Sequence, residues 1–325
     1  MNKDLCFATY VFGNKYHSFI PLYIYSILKA YPNYDIRIYT DGDLSKEIWD
    51  NLKKLEHLGN FSIITSTLSF LSLMPKALSF EQISKSIRWL YVDEAFYHYK
   101  AIYIGDIDIF ILKEAMPIFE QHILHCETMQ TCYSNFARNK YLEKNINSFS
   151  RSAIKYGVKE TMKFFNGVST VKKLSGLHFF QTTPYLSQIE KLSIDYIQDL
   201  NLLAEKKSKK WNLYSFNNEC LLYDMVDKAG FALPPIKQIH AADVLSQQNP
   251  ENIIFRPFHG LHLGLWRKDH NGKINGDSSI MNHVLYQEYI RDFRILMQED
   301  ELLRDLLQQK NYANELVQNM LSYYG

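Results

Sequence analysis

Asp106-Ile107-Asp108 places two carboxylates one residue apart between apolar runs, Ala101 to Ile104 before and Ile109 to Leu112 after. The upstream run reads as a buried strand of a parallel sheet, where ligands sit outside the carboxyl ends of the strands. Two acidic side chains leaving a core strand together are costly unless a cation or hydrogen bonds compensate them. Hard oxygen ligands suit Mg²⁺ or Mn²⁺, and a cation held by one or two carboxylates completes its shell with substrate phosphates. The chemistry this spacing offers is a metal–diphosphate site; the plain alternative is a carboxylate pair capping a turn.

The elements that must position this pair alternate strand and helix. Leu5 to Tyr10 is a short apolar strand. Phe19 to Tyr31 carries Ile20, Tyr23, Ile24, Ile27 and Leu28 on one helical stripe and is stopped by Pro32. Strands follow at Ile36 to Thr40 and Phe61 to Thr65. A helix is predicted from Ser79 to Tyr99, opened by the capping pair Ser79 and Gln82, and Ala101 to Ile104 is the strand that delivers Asp106. This β-α-β-β-α-β order predicts an α/β fold with a mainly parallel central sheet and helices on both faces. Downstream, Leu177 to Thr182 reads as a strand, and Thr183-Pro184 opens a helix running to about Lys206. Asn217 caps a helix over Asn218 to Lys228, which stops at Gly230. Helical pattern returns from Ser278 to Tyr323.

A second Asp-x-Asp, Asp41-Gly42-Asp43, follows the strand Ile36 to Thr40, but its glycine marks a tight turn and no apolar strand resumes. It reads as a surface turn. Residues 138–163 hold seven Lys/Arg, Arg138 among them, against two acids. That is either a basic loop facing an anionic substrate or a solvated face.

Composition favours a compact enzyme: 46% of residues are hydrophobic and 22% charged, which supports a sizeable core and argues against general disorder. A net charge of +1 gives no case for nucleic acid. No stretch approaches the roughly 20 apolar residues needed to span a bilayer, and nothing resembles a signal peptide. Cys6, Cys126, Cys132 and Cys220 include no Cys-x-x-Cys spacing and read as free thiols. The expected location is the cytoplasm, with at most peripheral contact at the inner face of the membrane.

Four segments together resemble glycosyltransferases of the GT-A fold, especially the family 8 group and related bacterial enzymes. They are Phe7-Ala8-Thr9-Tyr10 with Asn14-Lys15-Tyr16 and the helix behind them; Ser86-Ile87-Arg88-Trp89-Leu90 with the Asp106-Ile107-Asp108 strand; Asn217-Asn218-Glu219; and His259-Gly260-Leu261-His262 through Arg267. The resemblance covers roughly the first 270 residues. It implies a catalytic domain over 1–270, with a donor half to about 135 and an acceptor half from 136, and a helical extension over 271–325. It implies that Ala8, Tyr10 and Lys15 lie against the uracil nucleotide and that Arg88 reaches donor sugar and diphosphate. Asn218 and Glu219 would lie under the anomeric carbon, and a late histidine would complete the metal shell with Arg267 on the diphosphate. Two departures stand out. Trp266-Arg267-Lys268 occupies the place of the family's Lys-Pro-Trp, and Gly105-Asp106 stands where a leucine-aspartate pair is common.

The same residues can be read physically. An imidazole joining two carboxylates suits Mn²⁺ somewhat better than Mg²⁺. His259 and His262 would reach one site together only from a helix, and Gly260 and Gly264 argue for a loop, so one binds metal; His262 is favoured over His259. Arg267 either presents its fork to phosphate oxygens or is a surface arginine. Glu219 is either an acid favoured by a helix start or a carboxylate acting on the anomeric centre, as nucleophile or as electrostatic stabiliser. Gly176 and His178 would either let backbone and imidazole approach donor or acceptor hydroxyls or simply pack a strand end, the reading slightly favoured. The function expected is metal-dependent transfer of a hexose from a UDP-sugar to a hydroxyl of a glycan or lipid-linked acceptor; retention of configuration is implied by the resemblance alone. A haloacid-dehalogenase-like phosphatase is the alternative enzyme, but it expects Thr or Val where Phe110 stands. A non-catalytic glycan-binding protein is the alternative without chemistry.

Overall fold

The computed structural model describes residues 3–65, 84–141, 150, 154, 157–165, 170–211, 213, 216–234, 259–274, 276 and 278–325. The predicted cap at Ser79 and Gln82 lies outside them. Among the described residues the strands are β1 Lys3–Val11, β2 Asp35–Thr40, β3 Phe61–Ile64, β4 Tyr99–Ile104, β5 Ile109–Ile111, β6 Tyr133–Ser134, β7 Ala137–Tyr141, β8 Thr170–Leu174, β9 His178–Gln181 and β10 Gly260–His262. Six form a central sheet in the order β3-β2-β1-β4-β9-β6. The first three pairings are parallel, and β9 runs antiparallel to both β4 and β6. The fold is thus mixed α/β with a mostly parallel central sheet flanked by helices.

Side-chain alternation along the strands divides the core in two. Leu5 and Phe7 of β1, with Ala101 and Tyr103 of β4, pack against the helix Ile20–Ala30 and the C-terminal helices, including Tyr286, Phe293, Leu306 and Val317. Cys6, Ala8, Ile102 and Ile104 point to the other face, against Ile87, Leu90 and the helices Thr182–Ala204 and Asn218–Lys228. Both faces are covered, which is why β1 and β4 read as continuous apolar runs.

Three differences from expectation have local causes. The predicted helix Ser79 to Tyr99 is not continuous. It contains a short helix, Ile87–Leu90, and a 3-10 turn, Glu94–His98. The chain opens between them because Asp93 caps the amide of Ala95 and also accepts from Arg37 and Tyr39. A helix at Lys46–Leu55 separates β2 from β3, with Ser45 accepting from the Ile48 amide as its cap. The long helix starts at Thr182, with no side-chain cap and with Pro184 in its first turn rather than at its first position.

A cluster of histidines is sealed beneath the sheet. His122 and His125 both contact Ser134 Oγ through Nδ1 at 2.7 Å, and His122 Nε2 meets His259 Nε2 at 3.0 Å. Burial holds His125 down to about 4 and His178 to about 3, the latter helped by the nearby Arg88 charge. Burial, with neighbouring imidazoles, also holds His122 well below the usual value. These groups stay neutral in the folded chain but charge near pH 6.5 once unfolded, so the unfolded state binds more protons in acid. Stability should fall as pH drops from about 6.5 towards 4, each histidine contributing up to about 1.4 kcal/mol per pH unit. His262, raised by Asp108, contributes the opposite slope only above that window. Urea midpoints between pH 7.5 and 4.5 should show the decline, and His125→Asn should make it shallower.

Candidate active site

At the carboxyl edge of β1 and β4 lies a cleft of about 620 Å³, lined by Tyr10, Phe12, Tyr16, Arg88, Asp106, Asp108, Arg138, Lys173, Asn218, Glu219, His262 and Arg267, with several neighbours. Gly105 fixes the start of its floor. Its amide donates to the Ala8 carbonyl at 3.1 Å, and its carbonyl accepts from Thr9 Oγ1 at 2.9 Å. The turn after it sends Asp106 and Asp108 out of the strand, and β5 begins at once.

β5 pairs antiparallel with β10, with Ile109 opposite His262. This register sets His262 Nε2 3.4 Å from Asp108 Oδ1. The two histidines part at the start of β10: His262 lies on the strand, whereas His259 precedes it in a left-handed conformation. His262 faces Asp108, whereas His259 is buried with φ +49 in the histidine cluster, its Nδ1 3.4 Å from Glu114. Arg267 Nη2 donates to Asp108 Oδ2 at 2.8 Å. Asp108 is only 6% exposed. Burial alone would raise its pKa, but the His262 and Arg267 charges prevail and hold it at about 2.

Asp106 is engaged separately. Arg88 Nη1 donates to its Oδ1 at 2.6 Å, while Arg88 Nη2 donates to Asn218 Oδ1 at 2.8 Å. Asn218 and Glu219 open their helix under the cap of Asn217, whose Oδ1 accepts from the Glu219 amide at 2.7 Å. The Glu219 carboxylate is itself clamped. It accepts from Arg138 Nη2 at 2.9 and 3.1 Å, Lys173 Nζ at 2.6 Å and the Gly176 amide at 3.0 Å. Burial would raise its pKa, but Arg138, then Lys173 and Arg88, hold it below the usual value. Gly176 leaves room for this crossing, since a Cβ there would lie 2.8 Å from Arg88 Nη2.

Several expected contacts fall elsewhere. Ala8 is fully buried in the sheet. Lys15 does not line the cleft; its Nζ sits 3.7 Å over the Tyr312 ring, although Tyr16 beside it does line the cleft. His178 is 1% exposed behind the sheet, between Trp89, Tyr133 and Tyr185, with Nδ1 2.9 Å from Asn135 Nδ2. Asp41 of the second Asp-x-Asp accepts from the Gly13 amide and contacts His17, joining the ends of β1 and β2 away from the cleft. Arg138 and Lys173 carried no individual signal in the sequence. Arg138 was one charge in a basic stretch, and only the pairing of β7 with β8 sets it opposite Lys173.

The donor chemistry of Asp106, Asp108 and His262 suits Mn²⁺ or Mg²⁺. Asp108 and His262 stand at about the separation of two ligands on one cation, roughly 3 Å. The full set is not gathered, because Asp106 is drawn to Arg88. Among the described residues no group of three or more His, Cys, Asp or Glu side chains is close enough to hold a metal ion.

The clamp yields a prediction. Neutralising Glu219 leaves Arg138 and Lys173 facing each other without their shared anion, and removing one partner of an enclosed ion pair costs roughly 3–5 kcal/mol. Glu219→Gln retains one acceptor oxygen, so the expected loss is at the lower end, seen as a fall in urea midpoint. Pairing it with Lys173→Met should recover part of the loss. An unshifted midpoint would reduce Glu219 to a helix-start acid.

No family model and no curated protein matches the chain. Among solved structures it is similar to core-mannan synthase A from Aspergillus fumigatus in its Mn/GDP form, at 9% identity over 69% of each chain with a TM-score of 0.39. It is also similar to the galactosyltransferase LgtC in complex with donor and acceptor sugar analogs, at 8% identity over 93% of this chain and 99% of that one, TM-score 0.39. A third is the bifunctional glycosyltransferase WbbM, at 12% identity over 90% of this chain and 52% of that one, TM-score 0.38. The mixed α/β assignment itself rests on strand order and register.

Proposed function

We propose that the protein transfers a hexose from a UDP-sugar to a hydroxyl of a glycan or lipid-linked acceptor. The observation that carries this reading is the cleft itself, where Asp106 and Asp108 meet Arg88, Arg267 and His262 at the carboxyl edge of a parallel sheet. A polar cleft with carboxylates for a cation and guanidinium forks for oxyanions fits a nucleoside diphosphate. Tyr10, Phe12 and Tyr16 supply an aromatic wall for the base, and Tyr10 is held by its hydroxyl on the Tyr91 carbonyl at 2.8 Å.

On this reading Asp108 and His262, joined by Asp106, hold Mn²⁺ or Mg²⁺. Such a cation supplies Lewis-acid neutralisation of the leaving diphosphate. Arg267 and Arg88 bind the diphosphate oxygens from either side, and Arg88 and Asn218 orient the sugar. Glu219 is saturated by three donors and is therefore a weak nucleophile; it acts as an electrostatic and positioning group near the anomeric centre. The resemblance to family 8 favours retention of configuration. Four free cysteines favour a cytoplasmic protein, with at most peripheral contact at the inner membrane face. No helix among the described residues is long and apolar enough to cross a membrane.

Screening UDP- and GDP-sugars for Mn²⁺-stimulated hydrolysis without acceptor should find UDP released. Asp108→Asn should lower the rate on the order of a hundred- to a thousand-fold, as when one preorganised electrostatic group is removed. Asp41→Asn should change it little. Phosphate release from a simple phosphomonoester, with no turnover of any nucleotide-sugar, would replace sugar transfer by phosphatase chemistry.

A further inference from the structure

Asn135 fixes the tautomer of His178. Its Oδ1 accepts from the amides of Phe136 at 2.7 Å and Ser175 at 2.9 Å. Its Nδ2 is therefore the atom that donates to the Ser175 carbonyl and meets His178 Nδ1 at 2.9 Å, which makes Nδ1 an acceptor. Burial, helped by the Arg88 charge, holds this imidazole neutral with a pKa of about 3, so its one proton sits on Nε2. Among the described residues that N–H has no hydrogen-bond partner, although His178 is 1% exposed. Two further buried donors share the condition. One is Trp89 Nε1, on a residue 4% exposed; the other is Arg88 Nε, left over when Nη1 goes to Asp106 and Nη2 to Asn218. All three residues line one small cavity of about 10 Å³, where the end of β4 and β9 meet the helix Thr182–Ala204. That is room for a guest of one heavy atom. The cavity shares only Arg88 with the cleft. Apart from Tyr91 and Tyr185, the rest of its lining side chains are hydrocarbon.

Buried donors without acceptors are costly, and neither a tryptophan nitrogen nor a guanidinium nitrogen can accept. A water accepts two hydrogen bonds at most and brings two hydrogens of its own, so it leaves at least one of the three donors unserved. A single-atom anion accepts from all three and has nothing to donate. The positive edges of aromatic rings suit the same charge, and the Trp89 and His178 rings stand edge to face here, 5.9 Å between centroids. We propose that the cavity binds a halide, chloride being the commonest in solution, held by Arg88 Nε, Trp89 Nε1 and His178 Nε2. Asp106 occupies a different nitrogen of the same guanidinium, so carboxylate and halide are held together. The halide steadies Arg88 from behind while Nη1 and Nη2 stay on Asp106 and Asn218. The site needs only this packing and does not rest on the sugar-transfer reading.

The test replaces sodium gluconate, whose anion is too large for the cavity, by sodium chloride at constant ionic strength and follows urea unfolding of the full chain. Chloride should stabilise the fold, and each tenfold rise in its concentration above the dissociation constant should raise the folding equilibrium constant about tenfold. Chlorine-35 NMR line broadening on the folded protein should saturate over the same range. Trp89→Phe and His178→Phe each keep a ring and delete one donor, and each should weaken chloride binding by about tenfold or more. Long-wavelength diffraction from crystals of the unaltered protein grown in chloride should show an anomalous peak within hydrogen-bond reach of the three nitrogens. That measurement decides the question even if a variant fails to fold. The site is overturned if chloride gives no gain over gluconate, or if both variants keep the full gain. A peak that refines as water, with no anomalous signal at saturating chloride, overturns it as well.

Discussion

Asp108 is a nearly buried carboxylate, and it can stay ionised only while His262 and Arg267 stay beside it. Those two side chains come from more than 150 residues further along the chain, so the demand is met by backbone. The β5–β10 ladder, extended by Leu112 N to His259 O at 3.0 Å and Leu263 N to Asp108 O at 2.7 Å, fixes the distance. Two glycines make the approach possible. A Cβ on Gly260, at φ +154, would lie 2.1 Å from the Phe110 carbonyl oxygen, and one on Gly264 would lie 2.4 Å from Asp108 Oδ2. Behind the loop, Tyr286 bridges the His262 carbonyl and Trp266 Nε1, and Asn319 donates to the Trp266 carbonyl at 3.1 Å. The C-terminal helices therefore buttress the site while sharing the core of one sheet face.

The same electrostatic rule operates at the other end of the cleft with the signs reversed. There Arg138 and Lys173 share one anion, and Glu219 arrives on a helix start instead of a strand. Arg88 ties the two ends, with Asp106 on one nitrogen and Asn218 on the other, over the Trp89 ring at 4.5 Å. Long side chains held in this way are already ordered before any ligand arrives. Less entropy is then lost on binding.

How much of this was legible in sequence follows the range of each interaction. β1, β2 and β4 were readable because a sheet covered on both faces demands unbroken apolar runs. The helix at Lys46–Leu55 carries its cap and stripe in Ser45, Ile48, Leu52 and Leu55, but its low mean hydropathy disguises it. The break at Asp93 was not readable, because its cause is Arg37 and Tyr39 on another strand. In the cleft, Arg88, Asp106, Asp108, Asn218 and Glu219 stood out because each sits in a short segment of recognisable chemistry. Arg138 and Lys173 did not, since their meeting depends on the register of a hairpin whose strands lie some 30 residues apart. His178 and Ala8 were placed near substrate by their position in a motif, and strand alternation turned both into the core.

On the sugar-transfer reading, the neutralised state of the cleft also constrains how it would take up a diphosphate. An incoming oxyanion competes with Asp106 for Arg88 and with Asp108 for Arg267, and each guanidinium it wins leaves a carboxylate short of counter-charge. For the nearly buried Asp108 that loss is expensive, because among the described residues only His262 then remains beside it. The carboxylates released in this exchange are the same oxygens the proposed divalent cation needs. Diphosphate and cation thus remove each other's penalty, and by linkage each must strengthen the other's binding by the same factor. Asp106, being more exposed than Asp108, gives up its arginine at lower cost. On that reading the exchange would start at Arg88, and Asp108 would yield last.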